Sequence, residues 1–185
     1  MKNIYVSYIK SDTGNIFIAS SDKGLIKVYL DCGEEDFIKS LENQYSSNSY
    51  KSGIVFNYNK NNSKIYLSND KNKKILNQIK SYLIGDLEKF NINIDIKVTD
   101  FQKKVLNAVR NIKYGKTKSY GQIAKEIGEP RAYRAVGNAI SKNPIPIVIP
   151  CHRVIKSDGS IGGFGGRAKR IDIKRKLLEI EDLKI

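Results

Sequence analysis

Residues 147–155, Ile-Val-Ile-Pro-Cys-His-Arg-Val-Ile, set a cysteine beside the only histidine of the chain, behind a proline and inside an apolar run. The pair is a candidate nucleophile and its base. Thiolate is the reactive form of cysteine, and a neighbouring imidazole or the cationic Arg153 would favour it over the thiol. Side chains alternate along an extended strand, so Cys151 and His152 cannot face each other there; a turn at Pro150 and a bridging water would connect them. Two cysteines, Cys32 and Cys151, and one histidine cannot assemble the four ligands of an ordinary structural zinc site. Covalent chemistry is therefore expected from the protein's own side chains, with no metal and no cofactor.

The elements that must position this pair lie just upstream. Ile92, Ile94, Ile96 and Val98 alternate and predict a strand leading out of the first half, with a domain boundary near residue 90. Thr99-x-x-Gln102 fits a capping box, and Phe101, Val105, Leu106, Val109 and Ile112 make one apolar face, so a helix is predicted over about 100–112. Lys113–Lys118 form a basic loop. Ser119-x-x-Gln122 opens a second capped helix that buries Ile123, Ala124 and Ile127 and closes at Gly128. Pro130 suits the first turn of a third helix that runs to Asn143-Pro144.

A helix, a tight turn and a second helix are the geometry that places a helix against DNA. The second helix here carries mostly small residues, Ala132, Ala135, Gly137 and Ala139, around one long cation, Arg134. That set suits close approach to a minor groove with little sequence readout. A core helix packed tightly on its neighbours would account for the alanines equally well.

Charge points the same way. Residues 1–90 hold 13 Lys/Arg against 10 Asp/Glu, net +3, whereas residues 91–185 hold 20 against 9, net +11. A positive field on the second half attracts polyanions, nucleic acid first and anionic membrane second, although a lysine-rich surface also serves plain solubility. No apolar run approaches the roughly 18 residues of a membrane span and no signal peptide is recognisable, so a reducing, intracellular setting without membrane contact is expected.

The first half carries no chemistry. Ile4, Val6 and Tyr8, then Ile16 and Ile18, then Ile26, Val28 and Leu30 predict an antiparallel meander with a turn at Asp12-Thr13-Gly14. Phe37, Ile38, Leu41 and Tyr45 recur at helical spacing. After an Asn/Ser/Lys-rich connector come two short strands, Ile54–Phe56 and Ile65–Leu67, and a helix marked by Ile75, Ile79, Tyr82 and Leu83 that stops near Gly85. Cys32 reads as a spectator thiol.

Pro150-Cys151-His152-Arg153-Val154, preceded by Tyr120, by Arg134-Ala135-Val136-Gly137 and by Asn143-Pro144, resembles the signature of the O6-alkylguanine-DNA alkyltransferases, the methylated-DNA–protein-cysteine methyltransferases, over residues 99–185. The resemblance implies an α/β (α+β) fold. A small β-rich, ribonuclease-H-like domain (1–90) would precede a mostly helical catalytic domain with a helix-turn-helix (91–185). It implies single-turnover transfer of the alkyl group from O6-alkylguanine, with O4-alkylthymine a further candidate, in double-stranded DNA to Cys151. The protein would act as a monomer, in the cytoplasm at the nucleoid or in a eukaryotic nucleus.

Under the same resemblance Cys151 is the acceptor and His152 its base. The Leu177-Leu178-x-x-Glu181 pattern selects Glu181 over Glu179 as the acidic partner. Asn143 would tie the turn before the motif to the recognition helix, Tyr120 would donate to the flipped guanine, and Arg134 would fill the gap left in the base stack. Ala132, Tyr133, Ala135 and Gly137 would meet DNA beside it, and Ile140, Pro146, Val154, Phe164 and Gly165 would line the pocket. The carbonyls of Cys151 and Val154 would accept from the guanine amine. The metal site of some relatives has no counterpart. Tyr133 stands where some relatives have alanine, Phe164 where some have tyrosine and Gly165 where others have serine, and Arg167-Ala168-Lys169-Arg170 lengthens the segment before Leu177.

A phosphatase loop would need arginine six positions after the cysteine, and Ser157 stands there. A Cys-His hydrolase lacks a second catalytic block and leaves the helix-turn-helix unexplained. A lesion-binding relative would lack the cysteine, and a plain DNA-binding regulator stays open if Cys151 is inert.

Overall fold

The computed structural model describes residues 2–12, 14–45, 55–56, 63–165 and 170–183. The protein is α+β and divides into two compact units, one of residues 1–79 with 91–96, the other of 80–90 with 97–185. A single cut at residue 90 therefore gives way to an exchange of segments. Helix α2 (Asn69–Leu83) passes from the first unit into the second in its last turn, and the chain then returns to the first unit before leaving it at residue 96.

In the first unit, strands β1 (Lys2–Ser11), β2 (Gly14–Ser21) and β3 (Gly24–Leu30) form the expected meander, and β5 (Ser63–Leu67) adds to β1 in parallel, with β4 (Val55–Phe56) outside it. Ile54, Thr13 and most of the polar connector lie outside the described residues. Ile4, Val6, Phe17, Ala19, Ile26 and Ile65 face α1 (Glu34–Tyr45), which returns Phe37, Ile38 and Leu41 to one core. Asn72, fully buried on α2, donates to Tyr5 O and Ser7 Oγ and accepts from Ser20 Oγ, so a polar residue enters the core with its bonds made.

The strand predicted from Ile92 to Val98 is a one-residue bridge at Ile94, with Leu25 N donating to Asn93 O and Asp95 N to Leu25 O. The segment crosses the sheet edge at Gly24, where a Cβ would come within 2.4 Å of Asn93 O, so pairing cannot extend along it. Ile92 is buried, while Ile94, Ile96 and Val98 are half-buried. Alternation here reflects one covered face without a ladder.

The second unit is built on α3 (Asp100–Arg110), α4 (Tyr120–Glu126), α5 (Tyr133–Ser141) and α6 (Ile171–Ile180). Ser119 and Gln122 close a complete capping box on α4. At α3 only Thr99 caps; the Gln102 amide is spent on the C-terminal carbonyls of α5, Ala139 O at 3.3 Å and Lys142 O at 3.2 Å. Gln102 thus ties α3 to the recognition helix. Pro130 lies in a turn closed by Ala132 N on Glu129 O, and α5 starts three residues after it. Val105, Leu106, Val109, Ile123, Val136 and Leu177 are buried, and strands β6 (Lys118–Ser119) and β7 (Val154–Ile155) pair in parallel. Among the described residues no helix is long and apolar enough to cross a membrane.

Candidate active site

Between α5 and β7 the chain makes a turn that no regular ladder supports, and Asn143 holds it from inside. Its Oδ1 accepts from Ile145 N at 3.1 Å and its Nδ2 donates to Ile149 O at 2.9 Å. Within that bracket Ile147 adopts φ +73°, a left-handed conformation that is costly for a β-branched residue, and its side chain is buried. The turn delivers Cys151, His152 and Arg153 as a single 3₁₀ turn behind Pro150, with Cys151 5 % exposed. Three residues per turn set neighbouring side chains about 120° apart, so Cys151 and His152 diverge.

Burial pushes the Cys151 thiol up, against the opposing pull of the Asn143 side chain and of Lys174. Arg153, expected to assist the thiolate, is turned elsewhere. The nearby cation is Lys174 on α6, fully buried, its Nζ donating to Val154 O and Ile161 O at 2.5 Å each. Burial lowers its pKa to about 8, with Cys151 acting in the opposite direction.

His152 is fully buried. Its Nε2 lies 2.7 Å from Glu181 Oε1, and its Nδ1 has no hydrogen-bond partner among the described residues. Glu181, the buried C-cap of α6, also receives Tyr82 OH, the Arg153 guanidinium and Gly115 N, whereas Glu179 is exposed. Burial works against its charge, but the bonds from His152, Arg153 and Tyr82 prevail and bring its pKa to about 2. For His152 the order reverses: desolvation outweighs Glu181 and lowers the pKa. The resting pair is a carboxylate and a neutral imidazole.

Tyr120 opens α4 half-buried, with burial and then Cys151 raising its pKa. Gly137 of α5 packs against this ring, its Cβ direction 3.7 Å from Tyr120 Cδ1, so this glycine serves close approach inside the unit. Ala132 is half-buried, while Tyr133, Arg134 and Ala135 are exposed, with the Arg134 guanidinium 5.8 Å from the Tyr133 ring centre. Ile140, Val154 and Phe164 are buried, Pro146 is half-buried, and Gly165 is exposed at φ +57°. Arg167, Ala168 and Lys169 of the lengthened segment lie outside the described residues. A cavity of about 800 Å³ in this unit is lined by Phe90, Arg110, Tyr114, Val148, Pro150 and Arg153, and reaches neither Cys151 nor Tyr120.

Two buried polar residues went unread in the sequence. Lys174 shares a helix face with Leu178 and Glu181, at spacings of four and seven, a pattern that marks a cation on the inward side. Tyr82 falls on the apolar stripe of α2 and looked like core.

Residues 100–183 match the family model described as the DNA-binding domain of 6-O-methylguanine DNA methyltransferase. The structure is similar to that of the O6-methylguanine methyltransferase of Mycobacterium tuberculosis, with a TM-score of 0.74 and 32% identity over 96% of this chain and 92% of that one. An O6-methylguanine-DNA methyltransferase from Pyrococcus kodakaraensis aligns with a TM-score of 0.63 and 26% identity, over 97% of this chain and 99% of its own. In sequence, the methylated-DNA–protein-cysteine methyltransferase of Methanosarcina barkeri is 38% identical over 97% of this chain and 98% of its own. With likeness of that extent over nearly its whole length, the chain belongs to the methylated-DNA–protein-cysteine methyltransferase family.

Proposed function

We propose that the protein repairs DNA by direct reversal, moving the alkyl group of O6-alkylguanine in duplex DNA onto its own Cys151. The observation that carries this reading is the state of His152: Nε2 is engaged by Glu181 and Nδ1 has no partner among the described residues, next in sequence to a buried thiol. An imidazole held in this way is a base.

In the reaction the Cys151 proton passes to His152 Nδ1, over one bridging water because the two side chains diverge. The sulfur attacks the alkyl carbon in line, the S–C bond forms, and the C–O6 bond breaks with its electron pair left on guanine. The departing guanine then takes up a proton, so the net proton transfer is from thiol to guanine. Tyr120 is placed to donate to it. Lys174 stabilises the thiolate by charge, and Asn143 keeps the turn in shape.

Guanine O6 is inaccessible inside a duplex, so the nucleotide must leave the stack at a cost of a few kcal/mol. Exposed Arg134 is the side chain long enough to occupy the hole, with Ala132, Tyr133 and Ala135 against the minor groove. A crystallised relative, the Mycobacterium tuberculosis protein in complex with DNA, aligns with a TM-score of 0.73 and 32% identity over 97% of this chain and 92% of its own. We place the protein as a monomer wherever the cell keeps its DNA. Intact-mass measurement after mixing with an O6-methylguanine duplex tests the reading. One added methyl, mapped to Cys151 and absent in Cys151→Ser, is expected; an adduct on Cys32 or no adduct rejects it.

A further inference from the structure

We infer that Tyr82 is a positioning residue for alkyl transfer: its hydroxyl, 2.6 Å from Glu181 Oε1 and 3.0 Å from His152 Nε2, holds the imidazole in the tautomer that leaves Nδ1 as acceptor. The inference rests on reading His152 as the base of Cys151.

Tyr82 OH, His152 Nε2 and Glu181 Oε1 form a triangle with sides of 2.6, 2.7 and 3.0 Å. An ionised carboxylate only accepts. The phenol proton therefore goes to Oε1, the Nε2 proton also points to Oε1, and the phenol oxygen offers Nε2–H a second acceptor. In the other tautomer a bare Nε2 would stand 2.7 Å from a carboxylate oxygen, lone pair against lone pair, unless the phenol turned its proton away from the stronger acceptor. The triangle selects Nε2–H.

The hydroxyl has no packing reason to be there. Tyr82 is fully buried on the same stripe of α2 as Ile75 and Ile79, with Phe90 at 5.4 Å and the edge of Tyr114 at 6.4 Å between ring centres. A phenylalanine would fill that space. Burial, with Glu181 beside it, raises the Tyr82 pKa, so the group stays a neutral donor.

Charged and titratable groups face His152 from every element around it. Glu181 and Lys174 come from α6, Arg153 from its own turn and Tyr82 from α2, with Tyr114 of the loop before β6 edge-on to the Tyr82 ring. Among them Tyr82 is the neutral donor that shares Oε1 with the imidazole. A charge-assisted bond withdraws charge from that oxygen. Without it, Oε1 would pull harder on Nε2–H, favour the imidazolium, and occupy Nδ1 with a proton at higher pH.

The test is the pH profile of single-turnover transfer from an O6-methylguanine duplex and from free O6-benzylguanine, over about pH 5 to 9. Tyr82→Phe should move the acidic limb upward by ~0.5–1 pH unit, the size expected for one lost hydrogen bond. Replacing Tyr82 with 2,3-difluorotyrosine, which keeps the ring and donates more strongly, should move the limb downward, and this variant decides the matter if Tyr82→Phe does not fold. A phenylalanine limb that superimposes on the unmodified protein, or a fluorotyrosine limb shifted in the same direction as phenylalanine, overturns the inference. His152→Gln separates the two readings. An unchanged acidic limb there overturns His152 as the base, whereas loss of the limb with no response to Tyr82 overturns only the present inference.

Discussion

Arg153 grips Glu181 from the side: Nε lies 2.9 Å from Oε2 and 3.1 Å from Oε1, Nη2 lies 2.9 Å from Oε1, and Nη1 donates to Ile112 O at 2.6 Å. The arginine of the cysteine motif therefore serves the histidine's partner and not the sulfur. A guanidinium on the carboxylate offsets the charge that would otherwise draw a proton onto His152. Both partners are buried, and removing one leaves the other unpaired, which costs about 3–5 kcal/mol. Arg153→Met should lose that much stability in urea denaturation; a loss below about 1 kcal/mol would mean that the pair is a bystander.

Glu181→Gln tests the relay more narrowly. Arg153 can only donate, so it will claim the amide oxygen and turn the NH2 toward His152 Nε2 and Tyr82. Nε2 must then accept, the proton moves to Nδ1, and the base is blocked. Transfer should slow by ~10²-fold, the contribution of a positioned base. A wild-type rate in a folded variant would remove Glu181 from the mechanism.

Stability should follow the same groups as pH falls. Glu181 has a folded pKa of about 2 against 4.5 unfolded, so its contribution is complete above 4.5 and is lost as pH drops through 2. His152 is also depressed in the fold, so its contribution is present above 6.5 and declines once the unfolded chain begins to take the proton. Urea midpoints should fall in two stages, from just above pH 6 and again below pH 5. His152→Gln should remove the first stage, and a single late stage in the unmodified protein would contradict a neutral buried imidazole.

Arg134 and Tyr133 separate binding from chemistry. Arg134→Ala should slow repair of duplex substrate by at least about tenfold while reaction with free O6-benzylguanine stays within about twofold, since only duplex substrate requires flipping. Tyr133→Ala should weaken duplex affinity without changing the free-base rate. Equal losses on both substrates would instead assign these residues to folding.

A thioether on Cys151 has no low-barrier route back to thiol. Transfer should stop at one equivalent per chain in a quantified burst. The added carbon enters close-packed surroundings, where overpacking costs about 1–3 kcal/mol, so the alkylated protein should melt lower. Turnover beyond one equivalent would reject the suicide mechanism; an unchanged Tm would reject only the strain.

The meander, α1 and α4 were legible because each has a local signal, period-2 alternation, helical spacing or a paired capping box, whereas the pairing of His152 with Glu181 was expected only through the family's Leu-Leu-x-x-Glu pattern, matched at Leu177, Leu178 and Glu181. What escaped depends on partners far along the chain. Gln102 has a capping partner three residues away, yet its amide bonds α5 about forty residues on. Tyr82 and Lys174 resemble an ordinary core aromatic and a surface cation until the fold brings Glu181 and the Val154 carbonyl to them. Gly137 reads in the sequence like the alanines around it, because small residues on a helix look alike whichever neighbour they admit, and its packing on the Tyr120 ring has no local signal. Ile92–Val98 alternates without pairing because the edge beside it is crossed once, at Gly24.

Enclosure of Cys151 also bears on how long the protein stays fit for use. A molecule consumed by its own reaction cannot be regenerated, so alkylation by a soluble electrophile, or oxidation past the sulfenic acid, would permanently disarm it. Only a sliver of the sulfur's residue meets solvent, and burial pushes the thiol toward its protonated, less reactive form. Vigilance without attrition, over the lifetime of a protein waiting for rare damage, is what that closed turn secures.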